Sequence, residues 1–255
     1  MCELLGMSAN VPTDICFSFT GLVQRGGVTA PHVDGWGITF YEGKGCRTFK
    51  DPQPSSRSEI ARLVKNYPIK SCAIVSHIRQ ANRGRVALEN THPFTRELWG
   101  RYFTCAHNGQ LSGYKKLDTG MYRPVGETDS EMAFCWLLAR LNEKYSRRPG
   151  NMCAAFRYAG SLCERLQEQG VFNMLLTDGE FMLACSSTDL HWITRRSPFG
   201  KAQLLDTDVE INFREVTTPD DVVTVIATNP LTNNEDWNRM DAGECYLFHY
   251  GHSVT

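Results

Sequence analysis

The chain opens Met1-Cys2-Glu3-Leu4-Leu5-Gly6-Met7, and the reading of its second residue decides the fold. Methionine is trimmed when the next side chain is small, and cysteine qualifies, so Cys2 is expected to become the N-terminal residue. It then carries a thiol nucleophile and a free α-amine together. The amine's reference pKa, about 7.7–8.0, lies just below the thiol's, about 8.5. One residue can therefore supply both nucleophile and general base, which nucleophilic catalysis ordinarily takes from two. The plainer alternative is a small buried residue opening a strand.

The rest of the composition narrows the classes. With 255 residues and 42% hydrophobic content, the chain can form one large domain or two small ones. A net charge of −1 with 22% charged residues leaves no basic footprint for nucleic acid or an anionic membrane. The pairs Arg147-Arg148 and Arg195-Arg196 read as solvated surface. No apolar run approaches the ~20 residues of a membrane span, and no signal peptide opens the chain, so a cytoplasmic protein is expected. Of the ten cysteines, Cys72, Cys105, Cys135, Cys153, Cys163 and Cys185 lie in apolar segments, as free buried thiols do. Without a Cys-x-x-Cys or zinc spacing, reduced thiols and no metal site are expected.

Strand-like runs cover Glu3–Met7, Trp36–Tyr41, Cys72–Ile78, Tyr102–Ala106, Val171–Thr177, Phe181–Cys185, His191–Thr194, Glu210–Val216, Val222–Ala227 and Cys245–Tyr250. Asp178-Gly179 and Gly43-Lys44-Gly45 read as hairpin turns. Three helices are predicted. Ser56-Arg57-Ser58-Glu59 has capping-box spacing before Ile60, Leu63, Val64 and Tyr67, and Pro68 ends the pattern. Thr128-Asp129-Ser130-Glu131 is a second such box, before Met132, Cys135, Trp136 and Ala139. A third helix runs from about Cys153 to Gln169, stopped by Gly170. Antiparallel strands with helices gathered mid-sequence are an α+β pattern, and with no low-complexity linker or repeat a single domain over residues 1–255 is expected.

Four segments carry chemistry that can serve Cys2. In Ser76-His77-Ile78-Arg79 an arginine leaves the tip of an apolar strand, which suits a bidentate carboxylate clamp; a loop arginine is the alternative. Cys105-Ala106-His107-Asn108-Gly109-Gln110 follows a β-run, where Asn-Gly is a type I′ turn signature. The same pair offers a side-chain amide beside an unobstructed glycine N–H, two donors for a tetrahedral oxyanion. Asp129 follows the cap Thr128, where an acid is stabilised by the helix N-terminus. A carboxylate fixed there can also meet a substrate ammonium. In Asn90-Thr91-His92-Pro93 the proline fixes the local chain, and His92 is a structural loop residue or a site residue.

Together these motifs resemble the class II glutamine amidotransferases, the N-terminal-nucleophile branch. The matching residues are Cys2, His77-Ile78-Arg79, Asn90-Thr91-His92-Pro93, His107-Asn108-Gly109 and Glu127-Thr128-Asp129-Ser130-Glu131. Asp34-Gly35-Trp36-Gly37 and Ala227-Thr228-Asn229-Pro230-Leu231 are similar to the stand-alone YafJ-like members in particular. The likeness spans nearly the whole chain.

The resemblance implies an N-terminal-nucleophile hydrolase αββα sandwich, two stacked antiparallel sheets flanked by helices. It implies that Cys2 attacks the γ-carbonyl of a glutamyl group to give a thioester, with its α-amine as base and then acid. Asn108 and the Gly109 N–H would form the oxyanion hole, Arg79 would hold the α-carboxylate and Asp129 the α-ammonium. His92 and Asn82 join the substrate-binding set. No metal or organic cofactor is implied. One departure stands out: many synthase-linked members have Trp-Ala-Thr-His-Gly after the arginine, and this chain has Gln80-Ala81-Asn82-Arg83-Gly84. The pocket therefore need not be shaped around free glutamine. The expected activity is hydrolysis of glutamine to glutamate and ammonia, which would need an ammonia-accepting synthase partner or release the ammonia freely. The alternatives are a γ-glutamyl peptide or γ-glutamyl amine hydrolase, and a non-catalytic binding module.

Overall fold

A computed structural model describes residues 2–81, 84–215 and 218–254. Among these residues the chain forms two large antiparallel sheets. The first, of seven strands, runs in the order β13 (Asn238–Met240), β9 (Leu190–Arg196), β12 (Val222–Ala227), β1 (Glu3–Thr13), β4 (Ser71–Ile78), β2 (Trp36–Glu42) and β3 (Gly45–Asp51). The second, of six, runs β15 (His252–Ser253), β14 (Cys245–His249), β8 (Phe181–Cys185), β7 (Gly170–Thr177), β6 (Arg101–Leu111) and β5 (Phe94–Leu98). A separate hairpin pairs β10 (Lys201–Gln203) with β11 (Glu210–Asn212). Four α-helices complete the described chain: α1 (Cys16–Gln24), α2 (Glu59–Asn66), α3 (Asp129–Lys144) and α4 (Met152–Gln167).

Three apolar clusters mark three interfaces between four layers. One joins α1 and α2 to the outer face of the first sheet, through Phe19, Leu22, Ala61 and Val64 against Leu5, Met7, Ile74 and Val225. The second lies between the sheets, where Leu4, Val75 and Ile226 meet Ala106, Leu175, Met182 and Phe248. The third joins the second sheet to α3 and α4. This is the αββα sandwich that the resemblance implies.

The opening run shows why both faces must be apolar. β1 is the middle strand of seven, so its side chains alternate between the helix-side core (Leu5, Met7, Ala9) and the inter-sheet core (Leu4). Each such leucine contributes about 1.5–3 kcal/mol on burial. Gly6 also faces the second sheet: a β-carbon there would stand 2.9 Å from Met182 Sδ and 3.0 Å from Leu175 Cδ1. A larger residue at position 6 would wedge the sheets apart.

Several expectations are corrected. Cys185 and Cys245 are joined in a disulfide, so the reading of all ten cysteines as reduced does not hold. The two sit directly opposite each other in β8 and β14, next to the bonded Ser186–Glu244 pair. That is a non-hydrogen-bonded position, where cross-strand side chains come closest. The first capping box is displaced: Ser58, not Ser56, caps α2, its Oγ accepting from Ala61 N at 3.2 Å. Ser56 instead donates to Gly26 O. The strand expected over Glu210–Val216 is β11 alone, followed by a 3-10 turn at Phe213–Glu215, and Val216 lies outside the described residues. Asn108-Gly109 is not a turn; it lies inside β6, opposite Asn173 and Phe172 of β7.

Candidate active site

Strand alternation assembles the site. Cys2 shares the inward face of Leu4, and in β4 His77 shares that of Val75, with Arg79 two residues on. In β6, Ala106 faces inward, so Asn108 does too, and His107 turns toward α3. The two inner faces therefore present Cys2, His77, Arg79 and Asn108 at one end of the inter-sheet layer.

The contacts are specific. Asn108 Nδ2 donates to the Cys2 carbonyl at 2.6 Å, and its distance to Thr228 Oγ1 is 3.4 Å. Cys2 Sγ accepts from Gln80 N–H at 3.2 Å. Burial pushes the Cys2 thiol above its ordinary pKa, and the Gln80 N–H and the Arg79 charge pull it back. Arg79 is buried, and its guanidinium donates to the carbonyls of Arg85 at 3.2 Å and Gly84 at 3.3 Å. Asp34 and Gly35 bracket that corner: Arg79 N donates to Gly35 O, and Asp34 Oδ2 accepts from Ala81 N.

Asp129 is buried at the start of α3. Its Oδ2 accepts from Leu111 N at 2.7 Å and its Oδ1 from Ser130 N at 3.0 Å. Phe172 N turns away from β6 to donate to Ser187 Oγ, so Gly109 sits opposite it with its own N–H on the open edge. Leu111, two residues on, shares that edge and is the one Asp129 takes. The backbone at Gly109 has φ 155°, and a β-carbon there would stand 1.9 Å from Val171 O. Only glycine fits. His107 sets this geometry, its Nδ1 2.8 Å from Ser130 Oγ and its Nε2 3.1 Å from Val171 O.

His92 lies beneath the pocket, its ring stacked 4.1 Å from that of His77 and 4.5 Å from Phe94. Gly37 makes room, since a β-carbon there would stand 2.2 Å from His92 O. None of the four ring nitrogens of His77 and His92 has a hydrogen-bond partner among the described residues. Burial drives both pKa values well below the ordinary histidine value; His107 and Arg79 lower both further, and His77 lowers that of His92. Both rings are therefore neutral. Asn82, the remaining expected site residue, lies outside the described residues.

A narrow cleft of about 30 Å³ is lined by Cys2, Arg79, His92, Gly109 and Asp129 together with Gln80, Gln110 and Thr128. The model of the family "Glutamine amidotransferases class-II" matches residues 1–255. The chain belongs to the class II glutamine amidotransferases. It is 72% identical to the Escherichia coli (strain K12) protein YafJ over 255 residues, the whole of both chains. A crystal structure described as a predicted glutamine amidotransferase from Pseudomonas aeruginosa PA01 is similar at TM-score 0.81 and 54% identity, covering both chains entirely. The Bacillus subtilis glutamine phosphoribosylpyrophosphate amidotransferase shares the fold at TM-score 0.63 and 13% identity, over 99% of this chain and 48% of that one.

Sequence reasoning gave no role to the residues that anchor β1 beside Cys2, although Thr228 and Asn229 stand in the 227–231 motif quoted above. Arg25, buried at the end of α1, bonds Glu3 Oε2 and Asp206 Oδ2, each at 2.9 Å, and the carbonyls of Asn229 and Pro230. Asn229 Nδ2 closes the ring on Glu3 Oε1 at 3.1 Å. Thr228 Oγ1 accepts from Leu4 N, and Asn173 Nδ2 donates to Asn108 O. A glutamate directly after Cys2 was the available signal, because a carboxylate inside an apolar strand demands a buried cation.

Proposed function

We propose that this class II glutamine amidotransferase hydrolyses a γ-glutamyl amide, glutamine first, through a Cys2 thioester, with residues 1–255 acting as one catalytic domain. The observation that carries the reading is the cleft, which brings the Cys2 thiol together with a buried cation, Arg79, and a buried carboxylate, Asp129. An amino-acid end needs one of each, and a γ-carbonyl then lies toward the thiol.

In this reading Cys2, freed of Met1, gives its thiol proton to its own α-amine as Sγ attacks the γ-carbonyl. The oxyanion forms against the Gly109 N–H and the Asn108 amide, one hydrogen of which stays on the Cys2 carbonyl while the other gives up its long 3.4 Å contact with Thr228 Oγ1. The amine then passes the proton to the departing ammonia, leaving a γ-glutamyl thioester. Water, deprotonated by the same amine, releases glutamate and restores the thiol. The neutral His77–His92 pair underlies the cleft without adding positive charge beside Arg79, and His92 contacts the bound amino acid from below. Asn82, which follows Ala81 in the sequence, is proposed as a further substrate-binding residue. The ammonia passes to a synthase partner.

The test is glutamate release from glutamine and from a γ-glutamyl dipeptide. Both should be lost in Cys2→Ala, and the faster substrate names the leaving group. Undiminished release by Cys2→Ala would overturn the reading.

A further inference from the structure

The helix-side face of the seven-stranded sheet holds a cavity of about 450 Å³, within the range of small-molecule sites. It runs along β1 from Met7 to Thr13, whose far end is roughly 36 Å along the strand from Cys2 at ~3.3 Å per residue. Met7 and Val225 form its floor, Phe17 of α1 one wall, and Phe199, Ile211 and Phe213 the other. The Phe213 ring lies edge-on to both Phe17 and Phe199, at 5.5 and 5.9 Å. Such walls suit an apolar body.

The polar groups point to its other end. Arg195 is buried, and Glu235 takes its Nε and Nη2 side-on, at 2.8 and 2.6 Å. That geometry leaves Nη1, which has no protein acceptor among the described residues. Lys70 at the mouth likewise has none. The acids of the lining are already engaged: Asp14 by Cys16 N, Glu210 by Lys201, Asp221 by Thr218. The open donors are thus cationic, and an anion's carboxylate is their complement.

The hairpin that carries Ile211 also carries Asp206 in its turn. Asp206 holds Arg25, and Arg25 holds Glu3 beside Cys2. We propose that this cavity binds a small apolar monocarboxylate, and that the β10–β11 hairpin relays its occupancy to Cys2 through the Asp206–Arg25–Glu3 ion pairs.

The site is tested with decanoate and decanol by titration calorimetry on the whole protein, which requires no turnover and so stands apart from the proposed activity. Saturable one-to-one binding of decanoate is expected, about tenfold tighter than decanol, a charge-assisted contact's worth. The preference should vanish in Arg195→Gln/Glu235→Gln, which removes the pair without orphaning a charge, and Ile211→Trp should fill the cavity and weaken both ligands tenfold or more. Heats that do not saturate, or equal affinity for decanoate and decanol, would overturn the site. The relay is read as the rate of Cys2 alkylation by iodoacetamide, mapped by peptide mass. Saturating decanoate should change that rate severalfold in the parent and not in Asp206→Asn; an unchanged rate in the parent would refute the relay.

Discussion

At the residue scale the account rests on a few atoms. Asn108 is held by Cys2 O on one side and by Asn173 through its own carbonyl on the other, so its amide is aimed before substrate arrives. Asn108→Ala should lower kcat for glutamate release by about 10²–10³ with a smaller change in KM, as the loss of one oxyanion donor does. Steady-state kinetics check this, and an unchanged kcat would remove Asn108 from the mechanism. Arg79 is expected to act chiefly on binding. Its planar fork is not reproduced by an ammonium, so Arg79→Lys should raise KM about tenfold or more. The thiol makes a pH prediction. In the chain that still carries Met1, burial raises the Cys2 pKa, so its alkylation rate there should climb with pH to a midpoint above the free-cysteine value of about 8.5. A midpoint below that value would contradict the burial argument.

At the element scale, caps and alternation do most of the work. Ser58 Oγ both accepts from Ala61 N and donates to Asp51 Oδ2 at 2.5 Å, tying α2 to the end of β3. Ser58→Ala should destabilise the protein by about 1 kcal/mol, measured by denaturant titration, and activity should persist. The legibility of the elements follows from the same physics. α3 was readable because its N-cap, Thr128, and its apolar spacing agree, and α4 from its apolar spacing and the stop at Gly170, although its cap, Asn151, went unread. α1 was not: its N-cap, Ile15, offers no side-chain acceptor, and Gly21 sits mid-helix where Leu204 packs on it. Helix formation there depends on tertiary packing, which no local signal announces. The short strands β10, β13 and β15 escaped for a related reason, since two or three residues carry no periodicity. Of the site, Cys2, Arg79, His92, Gly109 and Asp129 were legible as motifs and do converge on one cleft. Arg25 and Asn173 were not, and Thr228 was quoted in its motif without a role, because their roles exist only across sequence separations above twenty residues.

At the scale of the whole molecule, the sandwich stores neutral histidines where the two sheets meet the active-site end. His77 and His92, with His107, all have pKa values lowered chiefly by burial. The unfolded chain binds protons at histidine below about pH 6.5, and the folded chain resists them. Stability is therefore complete above that pH and falls as pH drops below it, by up to about 1.4 kcal/mol per pH unit for each histidine. Denaturant midpoints from pH 7.5 to 5 should show this slope, and His92→Phe should flatten it. A midpoint independent of pH across that window would mean that the buried rings accept protons in place.

The central claim is that a cysteine freed at the N-terminus forms the thioester. The most direct measurement is the intact mass before and after incubation with 6-diazo-5-oxo-norleucine, a glutamine analogue that alkylates such a nucleophile, followed by peptide mapping. The account predicts loss of Met1 and a single adduct on Cys2, absent in Cys2→Ala. A protein that releases glutamate while its Cys2 takes no adduct, or takes one only at another cysteine, would contradict it.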